Sequence, residues 1–394
     1  MKDSLPAIHL QTGRSRRLRS GHPWAFSNEI VMDEAAKALP PGSLVRIVDA
    51  GAEILGVGSF NPHSLIAFRL LSRDPDQTID VDFLAARLAA ALALRQTLYD
   101  APYYRLCHAE ADGLPGLVID RFGDAATLEA NSAGMELLLP DILLALDRVI
   151  APEVVVIKND SPVRKLEGLE LYERLAKGRL EGPIELVENG VRFVADLTTG
   201  QKTGWFYDQR DNRRAVAAIA RDRTVIDFYS YAGGFALQSA AGGARQVIAV
   251  DRSEASLALA STAAALNGLA LETVRADAFA EMERLAAAGR KFGVVVADPP
   301  AFVKSKKDLA AGAKGYRKMT RLAATLVESG GFLLVASCSY HMGTDAFADE
   351  VRHGLGLAQR GGRILRAAGA GADHPLHPWL PESGYLKTLL LQLD

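Results

Sequence analysis

Cysteine is scarce: the 394 residues hold two, Cys107 and Cys338, far apart in the chain. This excludes a disulfide framework and a zinc ligand set, and fits a reducing, cytoplasmic compartment. Long apolar runs are missing too. A membrane-spanning helix needs about 18 apolar residues in succession. The richest stretch, Val81 to Leu98, is interrupted by Asp82, Arg87 and Arg95. The opening Met1-Lys-Asp-Ser-Leu-Pro lacks the apolar core of a secretory signal. Charge is nearly balanced, with 45 Lys and Arg against 47 Asp and Glu, which argues against indiscriminate nucleic-acid binding. Hydrophobic residues at 49% and charged residues at 23% are those of an ordinary globular protein. The length suggests two or three domains.

The basic residues are clustered. Residues 1–23 carry Lys2, Arg14, Arg16, Arg17 and Arg19 against Asp3 alone. Residues 302–321 carry Lys304, Lys306, Lys307, Lys314, Arg317, Lys318 and Arg321 against Asp308 alone. Such patches suit a selective binder of a phosphate backbone, and equally a solvated surface.

Three regions differ in period. Up to Ser72, short apolar runs (Leu44–Val48, Ile54–Ser59, Ile66–Leu71) are punctuated by Pro40-Pro-Gly42 and Asp49-Ala-Gly51, which predicts a small β-barrel over 1–74. Residues 75–188 open with a helix from Val81 to Tyr99. They continue with strands at Leu117–Asp120, from Ala125 and at Val154–Ile157, and a helical stretch near Met135–Val149, an irregular alternation that reads as a small α+β domain. Asn189-Gly190 marks a hairpin. The rest of 189–394 alternates strand and helix, the pattern of a parallel, Rossmann-like α/β sheet. Its strands are expected at Thr224–Phe228, Gln246–Val250, Thr273–Ala276, Gly293–Ala297 and Phe332–Ala336, with a last one from Lys387.

Candidate chemistry collects at the carboxyl ends of these strands, where ligands bind in such sheets. Gly233-Gly234 follows the first strand and lets backbone approach a ligand, but the spacing is not that of a dinucleotide fingerprint, which disfavours a nicotinamide enzyme. Asp251 ends the second strand, where an acid accepts ribose hydroxyls, and Asp277 closes the third, within reach of a purine edge. Either acid alone also fits a helix cap. Together the three features describe an adenosine pocket without phosphate grip, which suits S-adenosylmethionine. Asp298-Pro-Pro-Ala-Phe302 stiffens the loop after the fourth strand, and Phe302 can stack on a base or plug the core. Ser337-Cys338-Ser339 ends the fifth strand on the same edge as Asp298. Thiolate character rises near positive charge, which the adjoining lysine loop would supply. Cys107 has no such setting and reads as structural. His22, His63 and His341 fit structural or solvent-facing roles better than catalytic ones.

The segment Thr199-Gly-Gln-Lys202-Thr-Gly-Trp-Phe206-Tyr-Asp208-Gln-Arg210-Asp-Asn-Arg213, the glycine turn, Asp298-Pro-Pro-Ala-Phe302 and Ser337-Cys-Ser339 resemble the RlmI-type family. These are S-adenosylmethionine-dependent 5-methylcytosine methyltransferases of 23S ribosomal RNA. Gly21-His-Pro-Trp24 resembles the start of that family's N-terminal PUA domain. His108-Ala-Glu-Ala-Asp-Gly-Leu-Pro-Gly116 and Val163-Arg-Lys-Leu-Glu-Gly168 resemble its central domain.

The resemblance implies an RNA-binding PUA domain at 1–74, a central domain at 75–188, a class I methyltransferase domain at 189–394, and a homodimer. It assigns Phe228, Ser230, Tyr231, Gly233, Gly234, Phe235, Asp251, Asp277 and Asp298 to the cofactor, with Phe206 and Asp208 from the segment lying over it. Phe302, Lys304, Lys306, Lys202, Arg210, Arg14, Arg16 and Arg17 would meet RNA, as free 23S rRNA or in an assembling large-subunit particle. Cys338 would be the nucleophile and Asp298 its catalytic partner. Better-known RNA cytosine-5 enzymes carry Pro-Cys in the fourth-strand loop where this chain has Pro299-Pro300, so the remover of the final proton stays open. Two readings compete: methylation of an exocyclic amino group through Asp298 and Phe302, with Cys338 inert, and a catalytically silent RNA-binding assembly factor.

Overall fold

The computed structural model describes residues 5–198, 200 and 203–394; Lys202, expected at the RNA, lies outside them. The chain divides into two compact units. One comprises Met1–Gly182, Asp196–Trp205 and Asp373–Pro381, the other Pro183–Ala195, Phe206–Ala372 and Glu382–Asp394.

The first unit contains two five-stranded sheets. In the N-terminal sheet the spatial order is Ala7–His9, Ser43–Val48, Ile54–Phe60, Phe68–Ser72, Trp24–Ala25. Leu10, just past one edge strand, bridges Ile30, which follows the other, so the sheet curls toward closure. Ile8, Val45, Ile47, Phe60 and Phe68 fill its interior. The second sheet runs from Tyr103–His108 through Leu117–Phe122, Ala125–Ala130 and Val154–Asn159 to Tyr172–Lys177. Its single parallel pairing, Ala125–Ala130 with Val154–Asn159, is crossed by helices. The stretch expected as one helix is two, Ala133–Leu137 and Leu139–Ile150, because Pro140 has no N–H to continue the first. The helix Val81–Leu98 starts where Asp80 accepts the Phe83 N–H.

The family-like motifs of the central region are structural within this unit. Glu167 is 5% exposed and accepts from Ser64 Oγ (2.8 Å), Arg69 (2.9 Å) and Asn61 Nδ2 (3.1 Å), tying the two sheets together. Asp112 accepts from the two terminal guanidinium nitrogens of Arg95 (2.5 and 2.8 Å). Cys107 is fully buried, and burial pushes its thiol well up.

The second unit is a seven-stranded sheet. We label its strands β1 (Thr224–Phe228), β2 (Gln246–Asp251), β3 (Glu272–Arg275), β4 (Phe292–Ala297), β5 (Val327–Ser337), β6 (Gly362–Ala368) and β7 (Lys387–Leu393). The helices are α1 (Arg210–Ala217), α2 (Gly234–Ala241), α3 (Glu254–Asn267), α4 (Ala278–Ala287), α5 (Leu309–Leu326) and α6 (Thr344–Leu357). The spatial order is β3-β2-β1-β4-β5-β7-β6. Only β7 runs against its neighbours β5 and β6. The central strands are Val- and Ile-rich because helices cover both faces: Ile226, Val250 and Val295 serve one core layer, Val225, Val294 and Val296 the other. The Asn189-Gly190 hairpin forms as expected, pairing Ile184–Glu188 with Val191–Ala195 through two residues of positive φ. No helix among the described residues is long and apolar enough to cross a membrane.

Candidate active site

The turn after β1 is held in an unfavourable shape. Tyr229, Tyr231 and Gly233 all have positive φ (62°, 49° and 79°), which L-aromatic residues adopt only when their surroundings impose it. Asp251 imposes part of it: Oδ2 accepts the Tyr231 N–H at 2.9 Å, while Oδ1 accepts the Ser253 N–H at 2.8 Å. The Ser230 N–H donates to Val250 O at 3.1 Å. A Cβ on Gly233 would stand 2.9 Å from Ala260 Cβ, and one on Gly234 2.5 Å from Arg213 Nε. Arg213 is itself buried and paired with Glu188 at 2.8 Å.

Beneath the turn lies Asp227, 1% exposed, whose Oδ2 accepts the Ala236 N–H at 3.0 Å. Its Oδ1 and the buried Ser230 Oγ have no hydrogen-bond partner among the described residues. Burial pushes the Asp227 carboxyl well above the usual range. The Ala236 N–H opposes that, the charges of Asp298 and Asp251 add to it, and Arg213 opposes it. The native state therefore holds a proton that the unfolded chain releases near pH 4, and this group's contribution to stability falls as pH rises. Asp227→Asn keeps an acceptor for Ala236 without the charge. Its Tm relative to wild type, measured without ligand, is expected to be higher at pH 8 than at pH 5. Parallel Tm profiles against pH would contradict this account.

The other expected cofactor residues divide. Phe206 meets Tyr231 edge-to-face at 5.3 Å. Phe228 and Phe235 are core residues of the two layers. Asp277 is exposed and caps α4, accepting the Ala280 N–H at 3.1 Å, as an acid in that position commonly does. Asp208, expected over the cofactor, is buried and bonded to Tyr385 Oη at 2.6 Å, while its carbonyl accepts the Gly371 N–H at 2.9 Å. It anchors the C-terminal segment.

The fourth- and fifth-strand loops meet. Asp298 Oδ2 accepts from Gln209 Nε2 at 2.9 Å. Gln209 is oriented in turn by Asn212 (2.7 Å), and Asn212 by Thr388 (3.1 Å). Cys338 is half-buried with Sγ 3.9 Å from Pro299 O. Ser339 Oγ bonds Tyr316 Oη at 2.7 Å and accepts the Val303 N–H at 3.0 Å, fastening the Cys338 loop to the Asp298 loop. Lys387 Nζ donates to Ser339 O at 2.7 Å. Gln209 and Asn212 stand in the quoted motif without a role assigned there. Tyr316 and Lys387 give no local signal, since only tertiary pairing brings them here.

Phe302 is half-buried between Phe279 (6.0 Å, nearly parallel) and Tyr316 (4.8 Å), so its ring packs on the core with part of it outward. Lys304 and Lys306 are exposed, as are Arg14, Arg16 and Arg17 of the other unit. Arg317 and Lys318 are taken up by Glu350 and Glu283. Arg210 departs from the expectation: it is 6% exposed with its guanidinium over the Tyr207 ring, so it offers no outward cation. His22 is buried against Trp24, and His63 is exposed.

A sheet of order 3-2-1-4-5-7-6 with an antiparallel seventh strand, a glycine turn after β1 and an acid at the end of β2 defines a class I S-adenosylmethionine-dependent methyltransferase. The cofactor fits on structural grounds. Asp251 and Asp298 bring negative charge to the turn, suited to a cationic ligand. Asp227 Oδ1 and Ser230 Oγ, buried and unpartnered among the described residues, are polar atoms that a ligand can satisfy.

The family models agree: an S-adenosylmethionine-dependent methyltransferase model matches residues 171–357 and a PUA-like domain model residues 8–73. The ribosomal RNA large subunit methyltransferase I of Erwinia tasmaniensis is 37% identical over 96% of this chain and 97% of the relative. That of Klebsiella pneumoniae is 37% identical over 98% of each. Among solved structures, a Streptococcus mutans protein described as a SAM-dependent methyltransferase superposes with TM-score 0.81 at 19% identity, covering 98% of this chain and 100% of that one. A methyltransferase complexed with SAH gives 0.83 with the same identity and coverage. The chain belongs to the ribosomal RNA large subunit methyltransferase I family, and S-adenosylmethionine is its cofactor.

Proposed function

We propose that the protein methylates carbon 5 of a cytosine in large-subunit (23S) ribosomal RNA through a covalent bond to Cys338. One observation carries the reading: Cys338 and the Asp298-Pro-Pro loop, 39 residues apart, converge at one sheet edge with Sγ against Pro299 O. S-adenosylmethionine supplies an electrophilic methyl group on a sulfonium. The chain must supply the rest, because carbon 5 of cytosine is a weak nucleophile. Thiolate addition from Cys338 forms a bond to carbon 6 and moves the 5,6 electron pair onto carbon 5, which then bonds the methyl carbon as its bond to sulfur breaks and a neutral thioether leaves. Asp298, oriented by Gln209 and protonated when the base is docked, donates a hydrogen bond to ring nitrogen 3, where negative charge develops. Loss of the carbon-5 proton to a base restores the double bond and expels Cys338 as thiolate. The target base has to leave its stack to reach this edge. Lys304 and Lys306 hold the backbone beside it, and the PUA-like sheet with Arg14, Arg16 and Arg17 contributes a further phosphate surface.

The test is methyl transfer from labelled cofactor to unmodified 23S rRNA, followed by nucleoside analysis, beside RNA with 5-fluorocytosine at the modified position. Fluorine blocks loss of the carbon-5 substituent, so a covalent complex through Cys338 is expected to accumulate. N4-methylcytidine as the product, or no complex on the fluorinated RNA, would sink the proposal.

A further inference from the structure

Lys387 is an unusual lysine. It opens β7 opposite Ser337, the last residue of β5, and its side chain is turned into the protein, leaving 5% of the residue exposed. Nζ donates to Ser339 O and to Tyr385 O, both at 2.7 Å. No carboxylate among the described residues lies within ion-pair distance of it. Buried ammonium groups are normally paired with an anion, because desolvating a lone charge is expensive. The acidic group beside it is the thiol of Cys338, flanked by Ser337, across the sheet, and Ser339, whose carbonyl Lys387 holds.

We propose that Lys387 is a positioning residue whose buried ammonium is the counter-ion of the Cys338 thiolate, keeping the sulfur charged and fixed at the sheet edge. The assignment deepens the methyltransfer reading and rests on it only for its catalytic consequence. Three other described groups near the sulfur bring no positive charge. Tyr316 of α5 is neutral and bonded to Ser339. Asp298, one residue before Pro299, supplies no positive charge. Tyr385 faces Lys387 with its carbonyl and bonds Asp208 with its hydroxyl. Burial pushes the Lys387 amine down from its ordinary value and the charge of Cys338 pushes it back up, so each group favours the charged form of the other. The sequence reading looks to the lysine loop after Phe302 for this cation; the structure puts Lys387 at Ser339.

The test needs no RNA. Cys338 alkylation by iodoacetamide is followed against pH on the full chain by peptide mass spectrometry, in wild type, Lys387→Met and Lys387→Gln. Buried Cys107 serves as the unreactive control. Removing the ammonium is expected to raise the midpoint by a unit or more and slow alkylation at pH 7 by about tenfold. Superimposable profiles in folded variants overturn the pairing. Should neither variant fold, wild type decides: a midpoint at or above about 8.5, the ordinary thiol value, overturns it. A low midpoint in a chain whose Cys338→Ala variant still methylates RNA would overturn covalent catalysis and leave the pairing standing.

Discussion

Cys338→Ala is expected to lower methyl transfer to 23S rRNA by on the order of 10³-fold or more, while leaving S-adenosylmethionine affinity within about twofold. The size follows from the chemistry. Without addition at carbon 6, carbon 5 has no electron pair to offer, and no neighbouring group substitutes for a thiolate as nucleophile. The selectivity follows from the placement: the cofactor turn after β1 is shaped by Asp251, Val250 and Arg213, while Cys338 stands past the end of β5. Cys338 is half-buried, so its truncation leaves the fold in place. Single-turnover transfer from tritiated cofactor and calorimetric binding measure the two quantities separately. A variant that transfers methyl within tenfold of wild type would make Cys338 a small strand-end residue. Catalysis would then pass to Asp298 and an exocyclic amino group.

The strand–helix alternation from Thr224 to Ser337 is legible in the sequence because its strands are buried on both faces and read as Val/Ile runs. Strand β6 is not legible. Gly362-Arg-Ile-Leu-Arg-Ala-Ala is an edge, nearly all exposed, and only pairing with β7 makes it a strand. Asp251 and Asp277 occupy equivalent places after β2 and β3, yet one braces the β1 turn while the other caps a helix. The sequence cannot separate them, because the difference lies in which backbone N–H each meets. Asp208 and Arg210 carry the charges of a ligand segment but are buried against Tyr385 and Tyr207. Cys338 is legible from its strand-end position. Its cation is not, because Lys387 lies 49 residues on and reaches Ser339 only through the antiparallel register of β5 with β7.

Arg213→Met is expected to destabilise the protein by about 3–5 kcal/mol, because it strands Glu188 as a buried charge without its cation. Glu188 is 1% exposed and Arg213 4%. Their contact joins the end of the hairpin strand Ile184–Glu188 to α1, and the Glu188 carbonyl also accepts from Gln238 Nε2 on α2. The guanidinium backs Gly234 and lies 5.8 Å from the Phe235 ring, so the same loss loosens the turn that holds the cofactor. For a unit of this size a kcal/mol moves Tm by roughly 2–4 °C, which places the fall at roughly 6–20 °C. Weaker cofactor binding should accompany it. Screening separates this pair from surface pairs such as Arg275–Glu254: 0.5 M salt should leave the penalty nearly unchanged, since a buried pair is poorly screened. The double variant Arg213→Met with Glu188→Met removes both charges and should recover most of the lost Tm. Additive losses in the double variant would mean that the two residues contribute through apolar packing rather than through their charge pair.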